Sequence, residues 1–256
     1  MSRAFTLGDL STHQVTMLLH EAKTSVVLLP IGSTEPHGPH LPLSTDVILA
    51  AENASRASHQ FPEDWCVFVA PPLPYGVTDF AAGFKGAIGI STDTFKRMLR
   101  DIVSRFVDDG FDHVCIINHH LDPNHLTAMD EALELLWSEL GKHRVSRPSV
   151  LERRWGRQLG DEFRSGACHA GEYEGSMVLA AQPNLFQREA ADELPALALS
   201  LSTGIQEGIQ TFKELGMHES YTGNPAGSTA DFGNELYAVM CDMVVTTVTE
   251  QLRSQP

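Results

Sequence analysis

VVLLPIGSTEPHGPHLPLSTD, residues 26–46, is the stretch on which the reading of this chain turns. It opens as an apolar run with β-branched residues, the pattern of a buried strand. It then becomes rich in turn residues: Gly32, Pro36, Gly38, Pro39 and Pro42 rule out a helix. On that stiff loop stand Glu35, His37, His40 and Asp46. A strand therefore delivers two imidazoles and two carboxylates to its carboxyl end, where open α/β sheets place their ligands. Oxygen and imidazole donors together suit zinc, manganese or iron(II). A polar surface loop with incidental histidines is the plainer reading of this stretch taken alone.

Composition narrows the class. The chain has 256 residues, enough for one large domain spanning 1–256 with a full core. Its 42% hydrophobic content is that of a folded globular protein. A formal net charge of −15 disfavours nucleic acid and anionic membranes as partners. Cys66, Cys115, Cys168 and Cys241 are far apart and form no CxxC pair, so a disulfide framework is not expected and a reducing cytoplasm is. The N-terminal MSRAFTLGDLS has no apolar signal core, and no run approaches the length of a membrane span. Twelve histidines is high for this length, and they cluster at 37 and 40, at 113–125, and at 169.

Taken in order, the chain alternates helix and strand. Leu10 to Ala22 has helical spacing, with Ser11 or Thr12 as cap. An alanine-rich helix follows Asp46, which places that carboxylate near a helix N-terminus. Trp65–Ala70 reads as a strand and leads into an irregular, Pro- and Gly-rich segment with a short strand expected at Ala87–Ile90. A helix with a clear apolar stripe runs from about Thr92 to Gly110. His113–Ile117 is a second buried strand, delivering Asn118, His119, His120 and Asp122 at its end, and Pro123 opens the next helix. Ser149–Trp155 is a weaker strand candidate. SGACHAGEYEGS carries His169, Glu172 and Glu174 into a helix expected near Gly175. Residues 183–215 show no clear period, and a last helix follows HESYTGNPAGSTADFG. This order implies an α/β fold, three layers α/β/α with a mainly parallel central sheet.

Three strand-end loops thus carry the chemistry, and together they suit a two-metal site. In such a site a bridging carboxylate holds two ions and a shared water becomes the nucleophile. A neighbouring His would pass a proton to a leaving nitrogen. No GxSxG elbow, P-loop or GxGxxG turn is present, so no nucleophilic Ser or nucleotide is invoked.

PIGSTEPHGPHLPLSTD closely resembles the signature of the creatininase (creatinine amidohydrolase) family. HAGEYEGS at 169–176 resembles its third motif, while NHHLD at 118–122 and GNPAGSTADFG match two further motifs more loosely. The resemblance implies two divalent metal ions (Zn, Mn or Fe), hydrolysis of a small-molecule amide, and a homo-oligomer, usually a hexamer. Position by position, it places Glu35, Asp46 and His120 on one metal and His37, Asp46 and Asp122 on the other. It makes His169 the proton-transfer residue and Glu174 an orienter or acid/base partner.

Departures from the family pattern bear on the substrate. His119 stands where the family has Gly, adding bulk and a possible extra ligand. Asp122 is a methylene shorter than the Glu of creatininase itself. FKGA at 84–87 replaces Phe-Pro-Gly-Thr, and Lys85 could meet an anionic group or simply lie exposed. Thr78, Lys85 and His119 are the candidate substrate contacts. The expected activity is cleavage of a C–N bond in a small cyclic amide or formamide. Hydrolytic opening of a cyclic ketone and a non-catalytic metal-binding scaffold are the alternatives.

Overall fold

A computed structural model describes residues 2–253. In chain order the elements are β1 (Arg3–Thr6), α1 (Thr12–Glu21), β2 (Thr24–Ile31), α2 (Thr45–Ser58) and β3 (Trp65–Val69). They continue with α3 (Thr92–Asp108), β4 (His113–Asn118), α4 (Pro123–Leu140), β5 (Val145–Ser146), α5 (Arg153–Gly156) and α6 (Gly160–Ser165). The last are α7 (Glu172–Ala181), α8 (Arg188–Glu193), α9 (Leu201–Gln206) and α10 (Ala230–Arg253).

The five strands lie in the order β1-β3-β2-β4-β5, and every pairing is parallel. Seven of the eight residues of the central strand β2 are buried. That is why it reads as a continuous apolar run, since a parallel strand covered on both faces has no polar side. Its pleat sends alternate residues to opposite layers. Val27, Leu29 and Ile31 meet Phe95, Leu99 and Val103 of α3 and Met129 and Leu133 of α4. Val26 and Leu28 meet Ala54 and Ala57 of α2 and Cys241, Val244 and Val248 of α10. Helices therefore cover both faces, and the fold is three-layered. Each fully buried Val, Leu or Ile contributes about 1.5–3 kcal/mol.

The register sets up the site. Ile31, the last residue of β2, pairs with Asn118, the last of β4. The loops that leave these two strands therefore start side by side, about 4.8 Å apart.

Some boundaries differ from the sequence reading. Ala87–Ile90 forms no strand, because Ile88 N–H donates to Thr34 O and Ile90 N–H to Gly76 O, two separate segments rather than one ladder. Ser149–Trp155 is likewise not a strand: the edge strand is Val145–Ser146, and residues 153–156 make a helical turn. The helix expected near Gly175 begins at Glu172, and α8 and α9 occupy the unassigned stretch. Ser11 does cap α1, accepting from Gln14 N–H while the Gln14 side chain accepts from Ser11 N–H. All four cysteines are free. Among the described residues no helix is long and apolar enough to cross a membrane.

His113 pins the edge strand. Its Nδ1–H donates to His143 O at 2.7 Å and its Nε2 accepts from Ser146 Oγ at 2.7 Å. Burial pushes its pKa from 6.5 down to about 4. The unfolded chain thus takes up a proton below pH 6.5 that the folded chain refuses until about pH 4. The stability His113 contributes is complete above pH 6.5 and is lost as the pH falls through this window, at about 1.4 kcal/mol per pH unit at most. Urea unfolding at pH 7 and pH 5 should therefore show a smaller pH penalty for His113→Gln than for wild type; equal penalties would rule this group out.

Candidate metal centre

Gly32, directly after β2, decides where the first turn of α2 can lie. A Cβ there would sit 2.5 Å from Val47 N and 2.6 Å from the Asp46 carbonyl carbon. Only a residue without a side chain permits this approach. It brings Asp46, in the first turn of α2, over the ends of β2 and β4.

Three groups of side chains gather there, each with ligand atoms within 4.8 Å of one another: Glu35, Asp46 and His120; His37, Asp46 and Glu174; and Glu35, His37 and His169. All are buried. Asp46 belongs to two of the groups through different oxygens. Oδ1 is 3.1 Å from His37 Nε2, and Oδ2 is 2.9 Å from His120 Nδ1. Glu35 Oε1 lies 3.4 Å from His120 Nδ1, and Glu174 Oε2 lies 3.6 Å from His37 Nε2.

The outer nitrogens fix what the inner ones present. His37 Nδ1 is 3.0 Å from Glu35 O, His120 Nε2 is 2.7 Å from Val77 O, and His169 Nε2 is 3.0 Å from Pro36 O. A carbonyl only accepts, so each outer nitrogen carries the hydrogen, and each inner nitrogen is left with its lone pair. The lone pairs of His37 and His120 then face Asp46 oxygens at hydrogen-bond distance, while His169 Nδ1 stands 3.9 Å from Glu35 Oε1. That opposition requires a cation between them, and it is the arrangement by which backbone carbonyls orient ligating histidines. Asp46 Oδ2 is moreover buried without an aligned hydrogen bond. The donor set fits divalent metal.

With protons alone as the cations, the electrostatics show the same demand. Burial works against charge on His37, yet Asp46, Glu174 and Glu35 outweigh it and raise its pKa to about 10. His120 is raised well above 6.5, against its burial, by Glu35 and Asp46. Burial also opposes charge on Glu35 and Asp46, and the facing imidazoles keep both carboxyls below their usual range. Burial lifts Glu174 to about 8, while burial and the charge on His37 drop His169 to about 3.

Supporting contacts hold the ligand atoms in place. Thr78 Oγ1 donates to Glu35 Oε2, and Ala170 N–H donates to Glu174 Oε2 at 2.6 Å. Ala170 is one of the non-glycine residues with positive φ, at 53°, and it turns the chain between His169 and α7. Glu162 of α6 caps α7, accepting from the backbone N–H groups of Glu172, Tyr173 and Asn224. Nothing in the residues around Glu162 signals that role; it depends on α6 folding across the start of α7.

The expected second-metal residue Asp122 is not in any of these groups. Its Oδ2 accepts from Phe80 N–H at 2.7 Å, and its Oδ1 accepts from Asn124 and His125 N–H, so the carboxylate caps α4 and ties down the loop before α3. Glu174 instead stands beside His37 and Asp46. Lys85 is exposed and away from the cavity described next, and Thr78 lies behind Glu35. His40 is buried edge-on to Phe186 and Tyr221, outside the ligand groups.

A cavity of about 340 Å³ opens over the cluster. Glu35, Asp46, His169 and Glu174 line its inner end, and Phe80, Leu121, Leu126, Leu201, Ile205 and Phe212 form much of its wall. His119 lines it too, and neither Lys nor Arg does. The His169 ring stacks on Phe212, with centroids 4.3 Å apart.

The family model for creatininase, described as creatinine amidohydrolase, matches residues 9–248. A mycofactocin precursor peptide peptidase of Mycolicibacterium smegmatis is 30% identical over 222 residues, covering 84% of this chain and 81% of that protein. The creatinine amidohydrolase of Pseudomonas putida is 23% identical over 217 residues, covering 76% of this chain and 78% of the other. A solved structure described as creatininase with Mn superposes with a TM-score of 0.71 at 18% identity, covering 98% of this chain and 99% of that one, a likeness of fold.

Two outcomes test the geometry. Glu174→Ala should lower bound divalent metal, read by elemental analysis, while Asp122→Ala should leave metal unchanged and lose about 1–2 kcal/mol of stability with its cap; the reverse pattern would restore Asp122 as a ligand. Gly32→Ala should cost about 1–3 kcal/mol through overpacking and also lower metal content, because Asp46 must move. Normal metal content in that variant would show that Asp46 tolerates the shift.

Proposed function

The chain belongs to the creatininase family of hydrolases, and from that premise we propose that it binds two divalent ions and hydrolyses the C–N bond of a small, uncharged amide bearing an apolar group. The single observation that supports this most is the set of imidazole lone pairs facing shared carboxylates at the inner end of an apolar cavity. Glu35, Asp46 and His120 would hold one ion and His37, Asp46 and Glu174 the other, with Asp46 between them. Such a pair of ions supplies a water of lowered pKa and polarises a carbonyl oxygen.

The chain's own residues then have separable tasks. Phe80, Phe212 and Leu201 exclude bulk water and seat the apolar part of the substrate. His169 is held by Pro36 O through its Nε2–H, so Nδ1 is free to take a proton. As the water oxygen bonds to the amide carbon, His169 Nδ1 accepts the proton released. As the C–N bond breaks, the electron pair leaves with nitrogen, and the same proton passes to it. Amide plus water gives carboxylic acid plus amine, and His169 is returned neutral.

A small cyclic amide or formamide fits a cavity of this size. A short peptide is the second reading, favoured by the peptidase at 30% identity and by exposed Leu151 and Ile205 at the cavity wall, where a longer substrate could lie. An unguarded carboxylate is disfavoured in either case, because no cationic side chain lines the cavity. Opening of a polar cyclic ketone suits these apolar walls less well.

Protein purified without chelator should carry about two equivalents of Zn, Mn or Fe and turn over at least one of glutarimide, formanilide and leucyl-phenylalaninamide. His169→Ala should keep its metal and lose about 10²-fold or more in kcat. Full activity in His169→Ala would remove it from the mechanism, and metal-loaded wild type inert on every amide would sink the proposal.

A further inference from the structure

Four imidazoles line or floor this site, and one is wired in the opposite sense. His37, His120 and His169 each donate outward to a backbone carbonyl and present a lone pair inward. His119 has no carbonyl behind it. Its Nε2 lies 3.1 Å from Asn53 Nδ2, an amide nitrogen that can only donate. Nε2 must therefore accept, and the ring's single hydrogen is on Nδ1. Asn53 is fully buried and sits seven residues, two turns, after Asp46 on the same face of α2. Its amide is oriented from the other side by Cys241 of α10, whose Sγ lies 3.8 Å from Asn53 Oδ1 and offers that oxygen its thiol hydrogen. His119 lines the cavity, and among the described residues the one side-chain hydrogen bond of its ring is that to Asn53.

We propose that His119 is a catalytic hydrogen-bond donor, not a metal ligand. Its Nδ1–H, fixed by the Asn53 amide, binds the substrate carbonyl oxygen and strengthens its hold as that oxygen gains negative charge. Of the other polar side chains that line the cavity, Glu35, Asp46 and His169 offer acceptors, Ser202 and Gln206 come from α9, and Cys168 offers only a weak thiol donor. A neutral donor in a water-poor site is the complement a developing oxyanion needs. Water addition moves the C=O electron pair onto oxygen, and collapse returns it as nitrogen leaves; His119 keeps its hydrogen throughout. Asn53 touches no substrate and acts as a positioning residue. This inference rests on the amide-hydrolase reading for its substrate, but the state of the ring can be read without turnover.

Zinc-loaded, histidine-15N-labelled protein should show His119 protonated at Nδ1. Asn53→Asp, which can only accept, should switch the hydrogen to Nε2 and lower kcat on the amide that wild type turns over by about 10²-fold, with both metals retained. His119→Phe should lose a similar factor in kcat with little change in KM. His119→Asn, whose amide nitrogen occupies nearly the place of Nδ1, should recover at least tenfold of that loss. An Nε2-protonated His119 in wild type, or His119→Phe with kcat within threefold of wild type, would overturn the proposal. If no amide is turned over, the amide-hydrolase reading fails, and the spectrum still decides whether His119 presents a hydrogen or a lone pair.

Discussion

The close approach of α2 to the end of β2 at Gly32 is the constraint on which the site depends. A strand end and a helix start are both crowded with backbone, and any Cβ at position 32 would overlap Val47 N. Because the gap is this narrow, the carboxylate of Asp46 reaches across the sheet ends and shows one oxygen to His37 and the other to His120. The same helix, two turns on, brings Asn53 to His119. One packing contact thereby places both the shared carboxylate and the group that sets the tautomer of the fourth imidazole.

Around that contact the backbone does most of the electrostatic work. Carbonyls of Glu35, Pro36 and Val77 absorb the outward N–H groups of three histidines. Backbone N–H groups in turn stabilise three carboxylates: the buried Asp122 at α4, the half-buried Glu162 at α7, and the buried Glu174 through Ala170. Each of these would be costly to bury unpaired. The result is a rigid floor whose remaining valences all point at one spot, beneath walls too apolar to compete for it.

The strands and long helices were legible because each carries a local pattern. Seven buried residues in a row mark β2, and the stripe from Phe95 to Val107 marks α3. Where local pattern and tertiary pairing disagree, the reading from sequence failed. β1 is four residues at a sheet edge, made a strand by pairing with β3 rather than by its composition. Ala87–Ile90 has strand-forming residues but is shared between Thr34 and Gly76 and never joins a ladder.

For the site, the donor types, their clustering at strand ends and the family resemblance were all present in the order of residues, because ligand chemistry belongs to side chains and loop stiffness to Pro and Gly. Which carboxylate stands where was decided only by the fold. From the sequence Asp122 reads as a ligand and Glu174 as an orienter or acid/base partner; in the fold the start of α4 consumes the first in backbone hydrogen bonds while α7 aims the second at His37. The same holds for His119, whose role turns on a single amide from a helix 66 residues away in the chain. A residue type states what a group can donate or accept; only its neighbours in space determine which of those capacities is left over to act.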